Sequence, residues 1–222
     1  VADRDFDPHV ERTRNRPLAS GELTVRQALL TFLVLMSLAF GLVLMTNALT
    51  IKLAFAGALL ASSYPFFKRW THLPQVVRGL AFGWGIPMAF AAETGQVASV
   101  AWLILVINVI WSVIYDTLYA MVDRDDDISI GLKSTAILFG RYDLLILRLL
   151  KLLMIALLVV LGSTLQLGWP WFAGVTVAAV LFLRQQYQVR NRDRDACFKA
   201  FLNNNRVGVV IWAGLLVTYL VD

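Results

Sequence analysis

Seven long apolar stretches, at about 27–46, 49–67, 76–92, 98–118, 144–161, 169–183 and 207–221, constrain this chain more than any other feature. Each approaches or reaches the roughly 20 residues that a helix needs to cross a bilayer. A soluble domain is usually about one-quarter charged, whereas this chain of 222 residues is 16% charged and 59% hydrophobic. The expected fold is all-α, a polytopic transmembrane helix bundle forming a single membrane-embedded domain over 1–222. A lone cysteine, Cys197, excludes an intrachain disulfide framework.

Charge then orients the bundle. Arg4, Arg12, Arg14, Arg16 and Arg26 precede the first stretch, and Lys68, Arg69 and Arg78 follow the second. Arg124, Lys133 and Arg141 follow the fourth, and a basic run from Arg184 to Arg206 separates the sixth from the seventh. The alternate loops are nearly bare, with Lys52 the one basic residue close to that side. Positive-inside bias places the charged loops in the cytoplasm. The net charge of +5 is topological and implies no nucleic-acid partner.

Against this background stands YDTLYAMVDRDDD at 115–127, with five aspartates directly after an apolar run. On a helix, Asp123 and Asp127 share a face, and Asp116 lies two turns earlier. Like charges four residues apart repel, and a hard divalent cation such as Mg²⁺ relieves that by taking carboxylate oxygens together with substrate phosphates. The stretch is not an EF-hand: Ile128 stands where the turn glycine belongs and Ser134 where the bidentate glutamate belongs. The polar N-terminal segment repeats the spacing in Asp3 and Asp7. It opens at Val1 on charged, motif-like residues, which reads as a fragment preceded by further chain. Thr24 with Gln27 reads as a capping box for the first helix, Pro65 as a kink or end of the second, and Asn203–Asn205 as a cap for the last. Gly79, Gly83 and Gly85 give the third stretch a small-residue face for close helix approach. Two acidic motifs on one membrane face, each with basic neighbours, suit a diphosphate head, and an apolar bundle suits an isoprenoid tail. No GxGxxG, Walker-A, HExxH, GxSxG or CxxC pattern is present.

These residues resemble the UbiA superfamily of intramembrane prenyltransferases over essentially the whole chain. Asp3 and Asp7 fit the last two aspartates of the family's first motif, and Asp123 and Asp127 fit its second, D-x-x-x-D. The blocks RTRNRPLASG (12–21), YPFFKRWTHLPQ (64–75), YAMVDRDDD (119–127), GLKSTAILFG (131–140) and CFKAFLNNN (197–205) are similar to the branch that prenylates 4-hydroxybenzoate in ubiquinone biosynthesis. Ala19 departs from that branch's Arg-Pro-Leu-Pro run.

The resemblance implies a nine-helix fold, of which about seven helices are present here, in a bacterial inner membrane with the active site facing the cytoplasm. It further implies Mg²⁺ held by Asp3, Asp7, Asp123 and Asp127, with polyprenyl diphosphate and 4-hydroxybenzoate as substrates. Arg69, Lys68 and Lys133 are candidates for the diphosphate or the substrate carboxylate, Arg69 foremost. Asp116, an acid near the end of a span, is a candidate for orienting or deprotonating the phenol. A sister enzyme using a haem, naphthoate, chlorophyllide or glycerol phosphate acceptor remains the nearest alternative. An anion transporter would place its ionisable groups near mid-membrane.

Overall fold

The computed structural model describes residues 14–221, and among these every regular element is helical. Helix α1 (Val25–Val43) opens on the expected capping box: the Gln27 amide donates to Thr24 Oγ1 and the Thr24 amide to Gln27 Oε1 at 2.9 Å. Helix α2 (Ala48–Trp70) begins at Asn47, whose Oδ1 accepts from the Thr50 amide at 3.0 Å. Pro65 sits inside α2 and does not close it; the helix runs on through Lys68 and Arg69.

The third apolar stretch is two helices, α3 (Pro74–Gly83) and α4 (Gly85–Thr94), meeting at Trp84. Pro87 supplies the reason. It has no N–H to donate to the Gly83 carbonyl, and its ring crowds that carbonyl. The Trp84 indole donates to the Leu53 carbonyl at 2.8 Å and fixes the joint against α2.

Helix α5 (Ser99–Val122) leads through a break at Asp123 into α6 (Arg124–Ser129) and α7 (Thr135–Phe139). A 3-10 turn (Gly140–Tyr142) then opens onto α8 (Asp143–Thr164), α9 (Trp169–Gln188) and α10 (Arg194–Val221). The last helix starts well before residue 207, so the Asn203–Asn205 run lies inside it and caps nothing. Asn204 instead donates to the Ala200 carbonyl at 3.0 Å and accepts from the Trp111 indole at 3.3 Å, tying α10 to α5.

Five runs among the described residues are long and apolar enough to cross a membrane: α1, α2, α5, the run from α7 through α8 and α10. The α3–α4 pair is excluded by its break. Helix α9 has 20 residues, but its last five, RQQYQ, are polar. The chain is a multi-pass membrane protein, with the seven expected stretches realised as five such runs, one broken pair and α9.

The core lies between α5, α8, α9 and α10, where Ile114, Leu118, Leu147, Met154, Phe182 and Val207 are buried. Glycine permits close approach where α9 meets α10 and where α3 meets α5. A Cβ on Gly174 would stand 2.8 Å from the Val210 carbonyl oxygen of α10, and one on Gly79 would stand 2.9 Å from Ser112 Cβ of α5. Gly85, expected on the same small-residue face as Gly79, meets nothing. Helix α1 buries no side chain. Between it, α2 and α4 runs an open apolar groove of about 520 Å³, lined among others by Leu33, Phe40, Phe55, Ala58, Trp84 and Met88.

Candidate active site

The acidic stretch does not form one continuous helix. Asp123 ends α5 and begins α6, with φ −94° and ψ 6°. The register nevertheless survives the break, because the Asp127 amide donates to the Asp123 carbonyl at 2.8 Å. What stabilises the break comes from α10. Arg194 Nε donates to the Val122 carbonyl, the last of α5, at 2.7 Å, and its Nη2 reaches Asp126 at 3.3 Å. A cation on a terminal carbonyl is favourable at a helix C-terminus.

Lys68 and Lys133 are brought to this segment by backbone stitching. The Leu132 amide donates to the Asp127 carbonyl at 2.9 Å, and the Lys133 amide to the Lys68 carbonyl at 2.9 Å. Lys133 Nζ donates to the Trp70 carbonyl at 3.1 Å. The end of α2 is thereby held beside α6, and Lys68 acts electrostatically on Asp127. Arg69 is the next residue of that last turn, its guanidinium 5.4 Å from the Phe66 ring centroid. Gln75 Oε1 accepts from the Thr135 amide at 3.1 Å, and the Thr117 and Thr135 hydroxyls meet at 2.6 Å, so α3, α5 and α7 lock together beneath the site.

Asp123 is 7% exposed. Burial first, and then the charge of Asp123, pushes the Asp127 carboxyl up to about 7; Lys68 opposes the shift. Two carboxylates so placed suit a hard cation, because the donors are oxygens and the two like charges lie close enough to raise each other's proton affinity. Among the described residues no group of three or more His, Cys, Asp or Glu side chains gathers to hold a metal. A pair of carboxylates completed by substrate phosphates is the usual arrangement for Mg²⁺. Asp3 and Asp7 lie outside the described residues.

Asp116 lies deeper, on α5, and its carboxylate forms an ion pair with Arg78 of α3. Reading Arg78 as a topological anchor missed this. The available signal was an arginine inside an apolar stretch, which requires a partner. A second network was also missed. Asp143, fully buried at the head of α8, receives Arg124 Nη2 at 2.6 Å and Arg192 Nη2 at 2.8 Å, and Arg192 also donates to the Arg141 carbonyl at 3.0 Å. Arg192 adopts φ +58°, which a non-glycine residue rarely does, and these bonds hold it there. Arg124 lies between the two acids of the motif in sequence, so this network anchors the acidic segment from behind.

A membrane-embedded helical bundle that sets a buried and a half-buried carboxylate beside lysines at one end suits an enzyme acting on phosphate-bearing lipids. The UbiA prenyltransferase family model matches residues 1–207, and the chain belongs to that family. It is 56% identical over 218 residues to a 4-hydroxybenzoate octaprenyltransferase of Vibrio campbellii (strain ATCC BAA-1116), covering 98% of this chain and 77% of that protein. It is 57% identical over 218 residues to the protein of that name from Salmonella newport (strain SL254), covering 98% and 75%. The apo structure of a UbiA homologue from Aeropyrum pernix K1 superposes with a TM-score of 0.85 at 25% identity, over 97% of this chain and 81% of that one. A UbiA homologue from Archaeoglobus fulgidus bound to GPP and Mg²⁺ shares the fold, with a TM-score of 0.62 at 20% identity over 98% and 80%.

Proposed function

We propose that this prenyltransferase moves a polyprenyl group from polyprenyl diphosphate to the ring carbon ortho to the hydroxyl of 4-hydroxybenzoate, giving 3-polyprenyl-4-hydroxybenzoate for ubiquinone biosynthesis. The observation that carries the reading is the Asp123–Asp127 carboxylate pair set against Lys68 at one end of an apolar bundle. Relatives named for this acceptor, at 56–57% identity, support the choice of substrate.

Asp123 and Asp127 hold Mg²⁺, with Asp3 and Asp7 as the second ligand pair. When bound, the cation neutralises charge on the departing diphosphate. Lys68 and Lys133 bind diphosphate oxygens, and Arg69, whose planar guanidinium suits a carboxylate or phosphate fork, binds the substrate carboxylate or the same diphosphate. The hydrocarbon tail lies along the α1–α2–α4 groove, whose nearest α2 lining residue, Ala61, is seven residues or about 10 Å of helix from Lys68. The C1–O bond of the allylic diphosphate breaks, the ring carbon forms its bond to C1, and loss of the ring proton restores aromaticity. Asp116, carrying Arg78 on its carboxylate, orients the phenol or accepts a proton. The membrane is the bacterial inner membrane, with the charged ends of the bundle in the cytoplasm.

The test is prenyl transfer in membranes carrying the protein, with labelled 4-hydroxybenzoate, polyprenyl diphosphate and Mg²⁺. Product should disappear with EDTA and fall by on the order of a hundredfold or more in Asp123→Asn. Diphosphate release with another acceptor and none with 4-hydroxybenzoate would move the substrate. Metal-independent product would remove the proposed role of the carboxylates.

A further inference from the structure

The polar end of α9 carries a recess that the chemistry above does not use. It has a volume of about 10 Å³ and is lined by Leu181, Arg184, Gln185 and Gln188 of α9 and by Asn203 and Arg206 of α10. Gln185 is 2% exposed, yet among the described residues neither its amide nitrogen nor its amide oxygen has a hydrogen-bond partner. A buried amide left in that state is unfavourable, so such a group calls for a ligand. Arg184 and Arg206 are exposed at the rim, and neither forms an ion pair among the described residues.

The depth of the recess indicates what fills it. Tyr187 is 69% exposed beside it, with the Arg190 guanidinium 3.9 Å from its ring centroid. At the opposite end of α9, Trp169 is also widely exposed. Exposed aromatics of this kind favour membrane interfaces, and 18 residues of helix, about 27 Å, separate the two. Below the rim, Val177, Val180 and Leu183 are exposed on α9 and give acyl chains an apolar track.

We propose that this recess binds the headgroup of one anionic phospholipid. The space admits a single water-sized group, so one phosphate oxygen enters and accepts from Gln185 Nε2. The remaining phosphate oxygens lie between Arg184 and Arg206. Basic recesses between membrane helices at an interface suit such headgroups. A single water would satisfy Gln185 but would leave both guanidiniums without an anion. Free phosphate would leave the apolar track uncovered.

Native mass spectrometry of the protein with phosphatidylglycerol or phosphatidylcholine tests this. The wild type should retain one phosphatidylglycerol about tenfold or more tightly than phosphatidylcholine, and Arg184→Gln/Arg206→Gln should abolish that preference. Arg148→Gln, which removes an exposed charge on α8, should keep it. Equal retention of both lipids by the wild type, an unchanged preference in the double variant, or displacement of the lipid by excess inorganic phosphate would each overturn the proposal. Hydrogen exchange on the wild type alone supplies a second decision. Residues 181–188 and 203–206 should be protected in phosphatidylglycerol nanodiscs relative to phosphatidylcholine ones, and equal exchange in the two would overturn it.

Discussion

At Asp127, proposed above as a metal ligand, proton and metal would compete. Its carboxyl titrates near 7 in the folded protein, against 3.8 ordinarily. The folded state therefore binds the proton more tightly. That contribution to stability is complete below about pH 3.8 and is lost as the pH rises through about 7. Metal binding must displace the same proton. Affinity for Mn²⁺, followed by its electron spin resonance, should rise about tenfold per pH unit below 7 and level off above it. Asp123→Asn removes the second cause of the shift and should move the break in that curve to lower pH. The acids themselves were legible in the sequence, because carboxylates are uncommon against an apolar run. Their cationic partners were not: Arg78 and Arg192 read as anchors, since charge bias along a chain reports the side of the membrane and says nothing about which carboxylate a guanidinium faces.

Among the elements, α9 and α10 are the pair whose contact can be tested most directly. With Gly174 lying against the Val210 carbonyl and the Gly214 backbone, Gly174→Val must push the helices apart. Overpacking of this kind costs typically 1–3 kcal/mol, to be read as a lowered thermal midpoint in lipid nanodiscs. Gly85→Ala meets no neighbour and should leave the midpoint nearly unchanged. The apolar stretches, the Thr24 cap and the small-residue face at Gly79 could be read from periodicity and spacing. The break at Trp84 could have been read too, because Pro87 announces it. The early start of α10 could not. Residues 194–206 carry enough charge to pass for a loop, and only the burial of Cys197, Ala200 and Asn204 against neighbouring helices makes them helical.

At the scale of the whole molecule, Asp143 joins segments distant in sequence: Arg124 at the acidic motif, the head of α8, and Arg192 before α10. Asp143→Ala would leave Arg124, partly buried, and Arg192, exposed, without their anion. Losing these charged hydrogen bonds costs on the order of 1–3 kcal/mol, and the thermal midpoint should fall accordingly. Because Arg124 sits inside the acidic motif, the Mg²⁺ concentration needed for half-maximal prenyl transfer should also rise.

The groove beside α1 has a kinetic consequence. A long-tailed donor whose tail lies in this groove, as proposed above, would arrive by lateral diffusion within the hydrocarbon phase. The quantity that saturates the enzyme is then the donor's mole fraction in the membrane. Adding inert lipid at constant total donor should lower the rate, while diluting the surrounding buffer at constant lipid composition should not.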